Sequence, residues 1–384
     1  MDWNLKKMWP AAAASLVAFT SILNAVVDDS QVRNLENRVS TLEKTRGPGG
    51  MINPPGRPQV KDGYDIFVDA ELLWWSVYEN GLQYAVEGRN LTTRINNGDA
   101  LDVGNAYSWG FRFGVGYNLP HDGWDLYGNW TFFNNRTSSN KRAPHEGGFF
   151  PIWMNPDADV VVPNTSGEDI YAEKASANWD VEFNIIDLEL GREFFTSKYL
   201  TLRPHAGFRY LRLDQRFHVD YSGGNFRRVG NSSSTSESEP YHVHNSNDMW
   251  GFGLRAGMDT QWGLSNGFSI FGNFAFALLH SHFHISQEEY FRNRTTRQRF
   301  ESLDMNNRKR VGRATSDLAM GVRWDGMFDN DRFHLGVQFG WEHHMFWGQN
   351  QMWQFVDDTW QSKYSKGNDE LSTQGWTLAA RFDF

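Results

Sequence analysis

The chain has 384 residues, with 37 basic against 46 acidic side chains and a net charge of −9 at pH 7. A mean hydropathy of −0.60 and the lack of a long apolar run exclude an α-helical membrane protein, and the acidic balance argues against a nucleic-acid binder. The absence of cysteine excludes disulfide scaffolds, thiolate zinc sites and cysteine nucleophiles. Aromatic residues still make up 15% of the chain. Strands with rings on one face and polar groups on the other would reconcile these figures.

Residues 1–25 have the pattern of a secretory signal peptide. Lys6 and Lys7 precede an apolar stretch over residues 9–23, and the small residue Ala25 closes it. A basic segment, an apolar segment and a small residue in this order are typical of a cleaved export signal. A buried first helix is the alternative, and the polar residues that follow argue against it. We therefore expect an exported protein that works in an oxidising compartment.

Residues 26–45 are predicted to form a short coiled-coil or periplasmic helix. Its apolar residues follow the 3-4-3 spacing of a coiled-coil seam: Val32, Leu35, Val39 and Leu42. The helix would serve as a trimerisation stalk or tether, or would lie on the main domain as an amphipathic helix. Residues 46–63 are rich in Gly and Pro, which predicts a linker. The main domain would then cover residues 64–384.

From residue 64 onwards the dominant period is two. Every second position from Tyr107 to Tyr117 is large and apolar, and small or polar residues lie between them. Such alternation predicts a strand with one apolar face. The same pattern recurs at 124–132, 250–258, 268–278, 318–324, 333–341 and 376–384. Apolar faces of about 9–11 residues have the length that a tilted strand needs to cross a bilayer.

A soluble β-sandwich is the alternative, but its core would be unusually dense in Trp. The predicted connections also alternate between short turns and long loops, the latter at 134–178, 219–247, 285–313 and 343–371. Short periplasmic turns and long extracellular loops are typical of an outer-membrane barrel. The sequence therefore predicts an all-β, antiparallel transmembrane β-barrel with an even number of strands. Ten are clear, the range is 10–16, and hairpins within the loops favour 12–14.

Charged side chains lie on the polar faces of these strands. Pairing across the turn at residues 196–198 would place Glu189 opposite His205. The alternation of apolar residues changes phase at Ile185 and Ile186 and again near Leu211, which we interpret as β-bulges.

The last predicted strand carries a second signal for an outer-membrane barrel. Its apolar residues alternate up to a terminal aromatic residue: Trp376, Leu378, Phe382 and Phe384. This ending resembles the recognition signal of the barrel-assembly machinery.

Several longer segments carry a resemblance to a known family. They are VDAELLWWSVYENGLQYA (68–85), DLELGREFFTSKYLTLRPHAGFRYLRLDQ (187–215), DMWGFGLRAGMDTQWGL (248–264), DLAMGVRWDG (317–326), FGWEHHMFWGQNQM (339–352) and LSTQGWTLAARFDF (371–384). The chain resembles the Legionella-type major outer membrane protein family of pore-forming proteins, which includes the porin-like proteins of chlamydia-related bacteria. The resemblance implies a porin with a water-filled channel for passive diffusion of ions and small hydrophilic solutes. Without cysteine, a disulfide-cross-linked envelope role is not available to this chain.

The charged residues of the polar faces are the candidate pore-lining groups: Arg112, Asp187, Glu189, Glu193, Arg203, His205, Arg209, Arg255, Asp259, Arg323, Glu342 and Arg381. Alternatively, these groups pair across strands and only stabilise the wall. No residue pattern predicts catalysis, a cofactor or a metal site.

One basic segment is a candidate selectivity loop, with Arg292, Arg294, Arg297 and Arg299 at its centre. Folded inward, it would favour anions. Left outside, it would be a solvated face or bind lipopolysaccharide phosphates.

We expect a homotrimer in the bacterial outer membrane, in contact with membrane lipid, lipopolysaccharide and the barrel-assembly machinery. The alternative function is a surface adhesin, in contact with host surfaces, or a structural barrel without an open pore. Strand number bears on this choice, because ten strands would be nearly filled by their own side chains while 14 or 16 would leave a channel.

Overall fold

The computed structural model describes residues 53–88, 98–120, 123–144, 147–155, 161–163, 170–228, 239–355, 364–366 and 369–384. The predicted signal peptide, the predicted helix and the first residues of the predicted linker lie outside the described residues. The chain divides into units of residues 1–54 and 55–384, and all the described strands belong to the second unit. In the described ranges, no helix is long and apolar enough to span a membrane.

Ten strands form one closed antiparallel sheet, in which each strand pairs with the next along the chain. They are β1 (Ile66–Glu79), β2 (Tyr107–Asn118), β3 (Trp124–Arg142), β4 (Lys174–Arg192), β5 (Leu200–Ser222), β6 (Tyr241–Ser265), β7 (Phe268–Arg292), β8 (Arg299–Phe328), β9 (Phe333–Phe346) and β10 (Leu371–Asp383). The ring closes because β10 pairs with β1, from Phe67 opposite Asp383 to Glu79 opposite Leu371. We call the end with the short β2–β3, β4–β5, β6–β7 and β8–β9 connections the turn end, and the other the extended end.

Shorter strands lie outside the ring. Ala85–Gly88, Ala100–Leu101 and Gly148–Pro151 form a small sheet, and Phe194–Phe195 adds to β5. Two further pairs join Val161–Val162 to Arg227–Arg228 and Trp353–Phe355 to Tyr364–Lys366.

The expectation of 12–14 strands is wrong, because the ring has ten. Residues 285–313, expected as a loop, instead prolong β7 to 25 residues and β8 to 30 residues, with a short turn between them. Towards the extended end, the outward face of these two strands changes from apolar to polar. The sequence pattern that marked a membrane strand therefore ends there, although the hydrogen-bonded pairing does not.

Two local expectations are also wrong. Glu189 lies opposite Gly207, two residues from the expected partner His205, and β4 pairs with β5 without a break from Lys174 to Gly191. The alternation of apolar residues changes phase at Ile185 and Leu211, but there is no bulge between these strands. The phase changes because both side chains are buried and face inward. This change of phase marks the level at which the interior of the barrel becomes apolar.

The outward face of the ring carries an apolar band. Trp109, Leu254 and Met320 are 70%, 66% and 67% exposed, respectively. Towards the extended end, the outward faces of β3 to β8 continue beyond this band with polar side chains such as Arg136, Asp220 and Arg310.

The interior has two layers along the strands. Towards the turn end it is charged, with Glu71, Asp187 and Arg209 buried. Towards the extended end, a continuous apolar core replaces the charged side chains, and it includes Leu73, Trp75, Phe133, Trp179, Phe183, Leu211, Leu213, Phe217, Phe283 and Phe346. Trp153 and Met154, from the β3–β4 connection, pack into the same core.

Candidate functional site: the charged layer of the lumen

The structure brings all twelve candidate pore-lining residues to one cavity inside the ring, with a volume of about 230 Å³. The cavity has room for several water molecules. Most of its charged side chains belong to one network of ion pairs, while Arg323 and Arg381 belong to a second, smaller cluster.

One part of the network crosses the lumen from β2 to β9. Arg112 donates from Nη1 to Glu71 Oε2 at 2.6 Å and from Nη2 to Glu342 Oε2 at 3.1 Å. Because β1 and β10 lie between β2 and β9 in the ring, the contact with Glu342 spans the interior. His344 continues the chain of contacts, since its Nε2 lies 3.1 Å from Glu342 Oε2 and its Nδ1 lies 2.9 Å from Asp317 Oδ1.

A second part crosses from β5 to β8. Arg209 donates from Nε and Nη2 to the two carboxylate oxygens of Asp187, both at 2.7 Å, and from Nη2 to Asp317 Oδ2 at 2.6 Å. The Arg209 and Asp187 side chains are only 4% and 5% exposed. Such a bidentate arrangement replaces the water that would otherwise solvate both charges. Asp317 thereby links Arg209 to His344.

The third part surrounds Arg203, which bonds to Asp125 Oδ1 at 2.6 Å and to Asp259 Oδ2 at 2.8 Å. Arg203 also reaches Glu189, and Arg255 connects Glu189 to Asp317. The joined network contains seven carboxylates, four guanidinium groups and two imidazoles: Glu71, Asp125, Asp187, Glu189, Asp259, Asp317, Glu342, Arg112, Arg203, Arg209, Arg255, His205 and His344.

Closer to the turn end, His334 bridges Asp383 and Asp325, at 2.7 and 3.0 Å. Arg323 pairs with Asp325, and Arg381 pairs with Asp383. Within the described ranges, no three His, Asp or Glu side chains are placed to hold a metal ion.

Four members of the network were not among the candidate residues: Glu71, Asp125, Asp317 and His344. The sequence spacing could have identified His344 as an inward-facing residue. It follows the candidate Glu342 by two residues and therefore shares the inward face of β9. Asp317 likewise precedes Arg323 by an even number of residues on β8. Parity alone therefore identifies these side chains as inward-facing.

The candidate selectivity residues do not enter the lumen, so the inward-folded alternative is wrong. Arg292 and Arg299 are paired across β7 and β8, and Arg294 and Arg297 lie in the exposed turn between them. Arg299 pairs with Glu288 and lies 3.8 Å over the ring of Tyr290. The continued pairing of β7 with β8 holds the segment away from the charged layer.

The candidate assembly residues lie on β10 and beside it. Trp376, Leu378 and Phe382 face outward and are 40%, 47% and 38% exposed. The backbone N–H of Phe384 donates to the carbonyl of Ile66 at 3.1 Å. Their recognition by the assembly machinery stays a prediction.

Residues 55–63 form a strap at the turn end. The N–H of Gly56 donates to the Glu193 carbonyl at 3.1 Å, and Arg57 donates to the carbonyls of Leu119 and Trp124. Lys61 pairs with Asp331 at 2.8 Å. The strap therefore contacts the β2–β3, β4–β5 and β8–β9 connections on its way to β1.

A buried carboxyl lies in the extended end, beyond the apolar band. Glu289 accepts hydrogen bonds from the Tyr241 hydroxyl, the Gln287 amide and the backbone N–H of Asn155. Burial raises the pKa of Glu289 from 4.5 to about 7, against the lowering effect of these bonds.

This pKa predicts a pH-dependent stability. Between pH 4.5 and 7 the folded protein binds more protons than the unfolded chain at Glu289, so its free energy of unfolding should fall as the pH rises. We expect a loss of about 2–3 kcal/mol between pH 5 and pH 8 in wild type, and a flatter profile in Glu289→Gln. Urea unfolding followed by Trp fluorescence measures both. Equal pH profiles in the two proteins would contradict the prediction.

The closed ring, its outward apolar band and its charged interior define an outer-membrane β-barrel protein. The model of the family described as "Legionella pneumophila major outer membrane protein precursor" matches residues 56–384, and the chain belongs to this family. The family is one of outer-membrane proteins and is not an enzyme family. The resemblance seen in the sequence is thus confirmed.

Among solved structures, the chain is similar to the attachment invasion locus protein Ail of Yersinia pestis, with 10% identity, a TM-score of 0.23, and coverage of 83% of this chain and 97% of Ail. A major outer membrane protein of Thermus thermophilus gives 7% identity and a TM-score of 0.28, over 83% of this chain and 99% of that one. A Pseudomonas aeruginosa FadL homologue gives 8% identity and a TM-score of 0.26, over 84% and 91%. Scores this low carry no argument about activity. A comparison with curated proteins finds no match.

Proposed function

We propose that this protein is an outer-membrane porin that passes ions and small hydrophilic solutes by passive diffusion, and that its pore is gated. The observation that carries the proposal is the charged layer, which reaches across the lumen through Arg112–Glu342 and Arg209–Asp317. Ionisable groups at membrane depth are costly and mark ion pathways in other membrane proteins. A barrel that served only as an anchor would be as stable with an apolar filling.

The pore is closed in two places within the described residues. The ion pairs bridge the charged layer, and the apolar core fills the lumen between that layer and the extended end. Ten strands leave little space beyond their own side chains. Conduction therefore requires the apolar core to move out of the lumen. It also requires the ion pairs to separate, so that water solvates their charged groups.

The composition of the charged layer favours cations. Its network holds seven carboxylates against four guanidinium groups and two imidazoles. A ring with excess carboxylate attracts cations into a narrow lumen. The basic turn at residues 293–298, remote from this layer, would not reverse the preference.

The test is single-channel recording of the folded protein in a planar bilayer. We expect infrequent steps of small conductance, with a reversal potential in a salt gradient on the cation-selective side. Heat-modifiability on a gel serves as the control for folding. Folded protein that stays silent, both as wild type and with a loosened apolar core, would contradict the porin proposal.

A second candidate is a surface adhesin or a structural barrel without a pore. The length of β5 to β8, which have 23, 25, 25 and 30 residues, favours it. A membrane-spanning strand needs about 9–11 residues, so these strands carry a rigid β-structure beyond the apolar band. Binding to host cells by a protein that does not conduct would support this candidate. Trimerisation through residues 26–45 stays a prediction.

A further inference from the structure

We propose that the outward face of β5 to β8, where the apolar band ends, binds the phosphate groups of lipopolysaccharide in the outer leaflet. Four side chains form a row across these strands. Arg212 lies opposite Trp250, Trp250 opposite His282, and His282 opposite Arg310. We call these four residues the basic row.

The residues next to the basic row, on the side of the turn end, indicate the depth of the row in the membrane. Phe252 lies beside Trp250 on the same outward face and is 51% exposed, and Leu254 and Leu278 follow at 66% and 61%. These residues belong to the lipid-facing band, whereas Trp250 stacks on His282 with ring centroids 4.1 Å apart. An outward-facing Trp at the edge of an apolar band marks the depth of lipid headgroups. Lipopolysaccharide phosphates lie at that depth.

The guanidinium groups of Arg308 and Arg310 are available for a ligand. Arg212, His282, Arg308 and Arg310 line a groove of about 800 Å³ on the outer surface, together with Trp250. Asp214 and Asp248 also line it, and Arg212 is engaged by Asp214 at 2.9 Å. In the part of the chain that the structure describes, Arg308 and Arg310 have no carboxylate within pairing distance.

The spacing of Arg308 and Arg310 suits a phosphate. They are two residues apart on β8, so both point outward, next to His284 and His282 of β7. Guanidinium groups bind phosphate oxygens with paired hydrogen bonds, and two on one face can hold one phosphate or two adjacent ones. The apolar band, which lies next to these residues on the side of the turn end, would contact the acyl chains of the same lipid.

The experiment compares lipid retention by full-length protein. Wild type and an R308Q/R310Q variant are reconstituted in phosphatidylcholine vesicles that contain either bisphosphorylated or dephosphorylated lipid A. They are then extracted with mild detergent, and the lipid A that stays bound is quantified by mass spectrometry. R292Q/R297Q is the matched control, because it removes the same two charges from exposed positions at the tip of the β7–β8 hairpin.

We expect R308Q/R310Q to retain about tenfold less bisphosphorylated lipid A than wild type, and R292Q/R297Q to retain the wild-type amount. Dephosphorylated lipid A should be retained weakly by all three proteins. Equal retention by R308Q/R310Q and wild type would overturn the proposal, as would an equal loss in both variants. It would also be overturned if the arginines proved to bind only a soluble sulfated oligosaccharide, with lipid A retention unaffected by their loss.

Discussion

Replacing Arg209 by Met is expected to destabilise the barrel by about 3–5 kcal/mol, because it removes the guanidinium group that pairs most closely with two buried carboxylates and leaves Asp187 with only Arg255, at 3.6 Å. Asp187 would lose both of its hydrogen bonds from Arg209, and Asp317 would lose its contact at 2.6 Å. Urea unfolding of the protein in lipid vesicles, followed by Trp fluorescence, gives the free energy of unfolding.

An exposed ion pair supplies the control for this experiment. Arg136 pairs with Asp180 on the outward face beyond the apolar band, and its side chain is 77% exposed. Arg136→Met should therefore cost about 1 kcal/mol or less. Adding Asp187→Asn to Arg209→Met should recover part of the lost stability by removing a buried charge that has lost its bidentate partner. A loss below about 1 kcal/mol in Arg209→Met would mean that water already solvates the charged layer.

The second large effect concerns the proposed gate. Phe183 and Phe346 are both 2% exposed and pack with ring centroids 5.4 Å apart, immediately beyond the charged layer. Changing both to Ala removes packing that exists only while the core is closed. Since a buried Phe→Ala change costs about 3–5 kcal/mol, the closed state should weaken, and the fraction of time spent open should rise about tenfold or more. Single-channel recording measures this fraction.

A lipid-facing pair provides the matched control. Phe208 and Phe252 stack with centroids 5.6 Å apart on the outward face, at 47% and 51% exposure. Phe208→Ala with Phe252→Ala removes two rings of the same kind without touching the lumen, so the open fraction should not change. If neither double variant alters conductance, the apolar core is not a gate, and the adhesin or structural barrel becomes the better account.

Much of the membrane-spanning part was readable from the sequence because one physical rule governs it. Lipid on one side and a polar lumen on the other impose a period of two, which located the strands and placed Arg112, Asp187 and Glu342 on the inner face. The contacts of these groups across the lumen were not readable, since Arg112 and Glu342 are remote in sequence and on strands that do not pair. Such contacts follow from the diameter of the ring.

The strand number and the apolar core were missed for a related reason. In residues 175–185 and 211–221 the inward face is apolar, as Trp179, Phe183, Leu213 and Phe217 show. Once the inner face is apolar and the outer face polar, the alternation has the opposite phase and resembles a bulge or a loop. The sequence shows that both faces of the strand change in polarity. The alternation alone does not identify which of the two faces is buried in the core.

The closure of the ring has a consequence for how the barrel is made. The pairing of β1 with β10 joins residues such as Phe67 and Asp383, which lie more than 300 positions apart (from 67 to 383) in the chain. Until β10 has been delivered, every intermediate exposes the unpaired backbone groups of β1 and of its own latest strand. These two edges would pair readily with other chains, and closing so long a loop is slow. Assembly without aggregation therefore requires that β1 be shielded until β10 arrives to pair with it.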